Sequence, residues 1–432
     1  MIDEILDRSR RAVRQGPPVG DDGYRRYCLA FADEIKQAWP AVLAANAQDV
    51  AAAAGRGLAA SLLDLIRLRP GDLPSVIDCA EAVAAEAAGL GSTTAEAGAW
   101  GIRRRYPRPL GVILMVHEAR PLLTAEAALL PVAAGNAVLV HGGPEITGTA
   151  RVLGEVARTA LAAAGLPAGL VTMLEPADRA TLRHLLTRAD AVDAVLPRES
   201  RALIDYCRST ARPPVIASGR GFNHLYVHGS ADPVLAAAIV LDSKAPNPSM
   251  CNSLQVVLAD RAIAADLLDG VLATADANRM PITVRADPAL GRRSGSGGWW
   301  RVEELTASDF GREFLTATVG FQPVDGLEQA IEHIHRYGSA HTDGVVTGDD
   351  TVARRFVEAV DSAAVVVNGS LRMHDAPTLG WGRELTLSSG RTHVRGPVTI
   401  GALLTHSWVI EAGGGLRDVH PAGSSAAAVR KE

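Results

Sequence analysis

The sequence predicts an α/β protein of two substantial domains, with a parallel sheet covered by helices on both faces. Three observations lead there. From Gly111 onward, short apolar runs alternate with stretches of helical periodicity, the texture of strand, helix, strand repetition. The runs are nearly continuous rather than alternating apolar with polar, as in strands buried on both sides. At 432 residues, 47% of them hydrophobic, the chain is longer than a single core usually grows.

Taken in order, residues 2–88 carry Ala, Leu, Arg and Asp/Glu at helical spacing, broken at Gly16-Pro17-Pro18 and at Arg69-Pro70-Gly71, and predict a helical N-terminal layer. After a Gly/Ser/Thr-rich turn at 89–95, residues 100–106 alternate with arginines until Pro107 and Pro109 interrupt them. An exposed ribbon of this kind is marginal alone, so it should pair with another element or another subunit. Residues 111–116, 137–140, 170–174, 194–196 and 215–217 read as buried strands, and 125–134, 148–164 and 179–188 as helices between them. Nucleotides bind such sheets at the carboxyl ends of the strands. There is no G-x-G-x-x-G, but Gly142-Gly143 directly follows a predicted strand and would let a cofactor approach the backbone. A second α/β region spans about 231–368, with a strand at 254–258, a helix at 260–278, a Gly/Ser loop at 291–298, a helix at 327–337 and a strand at 363–368. A glycine turn at 379–382 and a terminal strand or hairpin in 398–404 and 407–410 follow, with a disordered tail from 413 to 432.

Composition excludes several functions. A net charge of −5 with scattered arginines offers no field for a nucleic-acid backbone. Cys28, Cys79, Cys207 and Cys251 lie far apart without C-x-x-C spacing, against both a metal site and a disulfide framework. No apolar run approaches the roughly 18 residues that span a bilayer, and the N-terminus is acidic. The expectation is a cytoplasmic protein with no membrane partner.

The chemistry centres on Pro248-Ser249-Met250-Cys251-Asn252, which follows the apolar run 234–241 and the lone Lys244. Cys251 in a proline-opened loop, followed by a side chain able to donate to a developing oxyanion, is a candidate nucleophile. The plainer alternative is a small buried thiol without chemistry.

Further blocks give that alternative a rival. Pro109-Leu110-Gly111-Val112-Ile113, Glu118-Ala119-Arg120-Pro121, Gly135-Asn136-Ala137-Val138 with Gly142-Gly143, and Gly165-Leu166-Pro167-Ala168-Gly169 resemble the γ-glutamyl phosphate reductase family. So do the Cys251 segment, Tyr337-Gly338-Ser339-Ala340-His341-Thr342-Asp343 and Arg395-Gly396-Pro397, all in the family's order. The resemblance implies an aldehyde dehydrogenase-like fold. Its parts would be a Rossmann-type nucleotide-binding domain (1–99 and 111–229), a catalytic domain (230–370) and a small β oligomerisation element (100–110 and 393–412). It implies Cys251 as nucleophile with Asn252 at the oxyanion, chiefly through its backbone N–H. Arg120, Asn247, Arg372, His393 and Arg395 would contact substrate, and His141, Gly142, Gly143, Glu145, Arg198 and Glu313 the cofactor, NADPH or NADH. The substrate would be an acyl phosphate or semialdehyde, the assembly a homodimer or homotetramer, and a kinase a partner that supplies the acyl phosphate. An acid at Glu145 is also explained by the positive end of a helix.

Several positions depart from the family pattern. His141 and Pro144 replace two cations around the double glycine, which brings NADH beside NADPH. Glu199 and Ser200 stand for paired glycines, Leu122 for Asn and Asn247 for Arg, changes that point to a related substrate. Two rivals stay open: an aldehyde dehydrogenase or carrier-thioester reductase on the same scaffold, and a non-catalytic homologue acting as a binding subunit.

Overall fold

The computed structural model describes residues 2–98, 101–175, 179–198, 200–290, 295–296 and 298–414. It divides into two compact units, one of residues 1–199, 206–215 and 400–432 and one of residues 200–205 and 216–399.

The first unit begins with the expected helical layer, Ile2–Gln15, Asp22–Gly55, Ala60–Ile66 and Leu73–Ala87, broken at both predicted points. Asp21 caps the long second helix by accepting from the Gly23 amide. The four-stranded sheet runs Val171–Met173, Ala137–His141, Val112–His117, Ala194–Arg198, parallel throughout. Its central strand, Val112–His117, is buried along its whole length, as its unbroken apolar sequence requires. Helices Pro121–Ala133, Thr147–Ala164 and Arg179–Thr187 connect the strands. The arginine-rich segment pairs within the chain: Gly101–Pro109 lies antiparallel between Thr94–Gly98 and the distant Leu404–Glu411.

The second unit holds an eight-stranded sheet in the order Gly295–Ser296, Trp300–Glu304, Ile282–Ala286, Thr318–Val324, Leu254–Asp260, Asn223–Val227, Thr342–Val346, Ala364–Val367. Only its first pair is antiparallel. Helices Pro233–Lys244 and Ala264–Ala277 bury apolar side chains on one face. Leu327–Tyr337 and Asp350–Ala359 cover the other. A separate pair, Glu384–Ser388 with Gly396–Thr399, completes it.

Three expectations change. The division falls at 215/216 rather than at 229/230, because Asn223–Val227 pairs with Leu254–Asp260 and Thr342–Val346. Residues 215–217 form no strand; a single bridge joins Val215 to Val195. Residues 393–399 belong with the second unit, so only Leu404–Glu411 joins the ribbon. Trp100, Glu199, 291–294 and 297 of the Gly/Ser loop, and 415–432 of the expected tail lie outside the described residues.

Candidate active site

Of the four cysteines, Cys28, Cys79 and Cys207 are buried and Cys251 is half-buried. Burial pushes the Cys28 thiol far above its ordinary range, with nearby Cys79 adding to it, so Cys28 carries no thiolate. Cys251 sits in the turn between helix Pro233–Lys244 and strand Leu254–Asp260. The turn is closed by Met250 N–H to Asn247 O at 3.3 Å and Ser253 N–H to Met250 O at 2.9 Å. Asn223 pins it from the next strand: its Nδ2 donates to Cys251 O and Ser253 O, each at 2.8 Å, while its Oδ1 accepts from Thr342 N–H at 3.2 Å. A register shift between Asn223 and His224 accompanies that reach. Gly221 is needed beside it, since a Cβ there would stand 2.0 Å from Cys251 O.

Asn252 is buried, and its carboxamide is already engaged. Nδ2 donates to His374 O at 3.0 Å, and Oδ1 accepts from the Arg372 guanidinium. The side-chain donor expected to face an oxyanion therefore braces the turn. His374 is held in turn through its Nδ1, 2.8 Å from Thr342 Oγ1, which lies 2.7 Å from His341 Nδ1. Burial lowers these imidazoles, to about 4 for His374 and about 3 for His341, so both are neutral near pH 7. Lys244, at the end of its helix, is wholly buried. Its Nζ donates to Phe314 O at 2.7 Å, Pro248 O at 3.3 Å and Gln255 Oε1 at 3.5 Å. Desolvation lowers it to about 7, partly offset by the charge of Glu313.

The predicted substrate residues separate into three groups. Arg372 joins Cys251 and Asn252. Asn247 is exposed in the same turn, and His393 is exposed elsewhere in the unit. Arg395 does not present an open fork: both terminal nitrogens reach Asp361, one to the carboxylate and one to the backbone O at 2.7 Å. The Arg395 hydrogen bond holds the Asp361 carboxyl below its usual range. Arg120 belongs to the first unit, exposed and 3.3 Å from Glu118.

Two of the six predicted cofactor residues line a cleft in the first unit, of about 630 Å³, at the carboxyl ends of Ala137–His141 and Val171–Met173. Gly142 and Gly143 line it. A Cβ on Gly143 would stand 3.0 Å from the Ala119 amide nitrogen and 2.8 Å from Glu145 Oε2, so the second glycine keeps this backbone accessible. His141 and Glu145 flank the glycines without lining the cleft, and Arg198 ends a strand on the other side of Val112–His117. Glu313 belongs to the second unit, where its Oε1 accepts from Gly221 N–H at 2.7 Å.

Sequence reasoning missed Arg8, Arg151, Arg158, Thr172 and Glu175 on the cleft wall. For Arg151 and Arg158 the available signal was their spacing along the helix Thr147–Ala164, on one face with Glu155. The start of that helix is not an open anion site. Asp49 accepts from Gly148 N–H at 3.1 Å, Thr149 N–H at 2.7 Å and Thr149 Oγ1 at 2.7 Å. Glycine walls and an open cleft lined by three guanidinium groups and two carboxylates leave room for a dinucleotide, with that helix terminus already taken by Asp49.

Comparison with known proteins follows this geometry. The aldehyde dehydrogenase family model matches residues 39–291. A γ-glutamyl phosphate reductase of Roseiflexus castenholzii is 37% identical over 96% of this chain and 99% of its own. One of Deinococcus radiodurans is 37% identical over 96% and 97%. The crystal structure of γ-glutamyl phosphate reductase from Thermotoga maritima superposes with a TM-score of 0.88 at 26% identity, covering 96% of this chain and 100% of that one.

Proposed function

The chain belongs to the aldehyde dehydrogenase family, on its γ-glutamyl phosphate reductase branch, and from that premise we propose that it reduces γ-glutamyl phosphate to the semialdehyde through Cys251. It is an NAD(P)-dependent oxidoreductase acting on a small molecule. Among the described residues no helix is long and apolar enough to cross a membrane.

Cys251 as thiolate attacks the acyl carbon, the C–O bond to phosphate breaks, and a thioester remains on the sulfur. The backbone N–H of Asn252 donates to the oxyanion while its side chain holds the turn still. The cleft beside Gly142-Gly143 would hold a reduced nicotinamide cofactor, which when bound would supply the hydride. The oxyanion left on the carbon held by Cys251 then expels the thiolate and releases the aldehyde. Arg372 neutralises the departing phosphate, a role the neutral His341 and His374 leave to it. Arg120, Asn247 and His393 complete the substrate contacts we assign, and Leu122 and Asn247 adapt the site to a glutamate-like side chain.

We assign NADPH as the preferred cofactor, because Arg8, Arg151 and Arg158 bring three guanidinium groups, against the two carboxylates of Glu155 and Glu175, to a cleft where His141 and Pro144 supply no cation. The acyl phosphate, being unstable, calls for a kinase that makes it. The ribbon Gly101–Pro109 with Leu404–Glu411 exposes Ile102, Trp408, Val409 and Ile410, and is the contact we assign to a homodimer or homotetramer. The observation that carries the catalytic reading is the half-buried Cys251 in a turn fixed by Asn223, Asn252 and Arg372. The test is the reverse reaction: glutamate semialdehyde should reduce NADP only when inorganic phosphate is present. Turnover without phosphate would point to an aldehyde dehydrogenase instead. No turnover with NADP or NAD, and no melting shift with either, would point to a binding subunit.

A further inference from the structure

Lys244 has no role in the chemistry above, yet it is the only lysine whose side chain is wholly buried among the described residues. Its three contacts are a carbonyl of the nucleophile turn (Pro248 O), a carbonyl next to the acidic cofactor candidate (Phe314 O, adjoining Glu313) and Gln255 Oε1. Gln255 repeats the connection: the same Oε1 accepts from Phe314 N–H at 2.7 Å, and its Nε2 donates to Ser253 O at 3.1 Å. Two buried side chains thus bind both sides of the Cys251 turn to one segment through four backbone groups, of which Ser253 O has a second donor in Asn223. A hydrophobic side chain could fill the same volume. An ammonium stands where its three donors meet three oxygens and, among the described residues, no carboxylate pairs with it, an expensive choice for packing alone.

We propose that Lys244 is a positioning residue for the reduction, holding the Cys251 turn against the Glu313–Phe314 segment so that the thiol keeps one reactive placement. This rests on the reductase reading for its purpose, not for its test. The ammonium fixes Pro248 O on one side and Phe314 O on the other. Loss of it lets each segment relax separately, and displacement of about 1 Å at a reacting group costs on the order of a hundredfold.

The experiment compares the full-length protein with Lys244→Met, which keeps length and removes the donors, and with Gln255→Met, which keeps the ammonium and removes the second connection. Alkylation of Cys251 by iodoacetamide, without substrate or cofactor, reads the turn. Equilibrium binding of NADPH reads the separate cleft. Steady-state kinetics then separates kcat from KM. For Lys244→Met we expect alkylation slowed about tenfold and kcat lowered with NADPH affinity unchanged, and for Gln255→Met a smaller change in the same direction. Wild-type alkylation in a folded Lys244→Met protein would overturn the proposal, as would weakened NADPH binding beside it. Should Lys244→Met not fold, Gln255→Met decides alone: slowed alkylation with NADPH affinity kept supports the proposal, and wild-type alkylation or lost NADPH affinity rejects it. A wild-type protein inert toward every acyl phosphate tested would defeat the reductase reading while leaving these binding and alkylation results to stand.

Discussion

The Cys251 turn and the cleft beside Gly142-Gly143 are built by opposite means. Around Cys251, Asn223, Asn252, Arg372 and Lys244 spend their polar atoms on backbone or on one another, so the turn has one arrangement. The cleft is defined by what is missing: glycines without side chains, about 630 Å³ of space, and arginines reaching in from the wall. A saturated network is brittle to single changes, whereas an open cleft bounded by charge can be retuned. Covalent chemistry needs the first kind of site and exchange of a soluble cofactor the second.

That contrast can be broken most severely at the sulfur. Cys251→Ser should lower reduction by more than about a thousandfold while NADPH binding, measured by fluorescence titration, is unchanged, because serine lacks thiolate nucleophilicity. Loss of binding in that variant would mean that the two sites are not separately built. Asn223→Ala removes the donor to Cys251 O and Ser253 O, and kcat should fall about a hundredfold with NADPH affinity intact. Gly143→Val works the other way: its side chain fills the cradle, and the NADPH dissociation constant should rise about tenfold while iodoacetamide alkylates Cys251 at the wild-type rate.

The smallest effect concerns pH. His341 and His374 are lowered to about 3 and about 4 in the folded chain, below the roughly 6.5 of an unfolded histidine. The unfolded state therefore binds more protons between these values. The stability they contribute is complete above about pH 6.5 and lost as pH falls toward 3. Thr342→Val, which removes the hydroxyl between them, should shift that acid unfolding midpoint by a fraction of a pH unit, followed by circular dichroism. Lys244 acts in the other window. Lowered to about 7 from an unfolded value near 10.4, it makes the native state more stable as pH rises from 7 toward 10. Lys244→Met should flatten that rise in thermal melts.

The sheet of the first unit was legible because its strands are apolar throughout and its glycines mark their ends. Leu254–Asp260 was legible for the same reason. Asn223–Val227 and Thr342–Val346 were not, since they open on Asn-His and Thr-Asp, residues that read as loop but serve buried hydrogen bonds: His224 to Asp343 at 3.0 Å, and Asn223 to the Cys251 turn. Residues 215–217 misled in the opposite sense, apolar enough for a strand yet joined to the sheet at one position. At the candidate site, residue type pointed to Cys251 and local pattern to Gly142 and Gly143, which the fold places in a fixed turn and on a cleft wall. Arg395 could not be separated from Arg372 in sequence, because only the fold shows that Asp361 has taken one guanidinium and Asn252 the other. Arg8 on the cleft wall comes from a helix about 130 residues before the glycines, beyond any local motif.

The pairing of Leu404–Glu411 with Gly101–Pro109 has a consequence for biosynthesis. Arg104 leaves the ribosome long before Glu411, its partner at 2.9 Å and 307 positions later. Until then one edge of Gly101–Pro109 has no native mate, and the nascent polypeptide carries an unfinished edge able to recruit a strand from a neighbouring chain. Ribosome-bound chains halted before residue 404 should cross-link to one another through this edge, and those released after residue 411 should not.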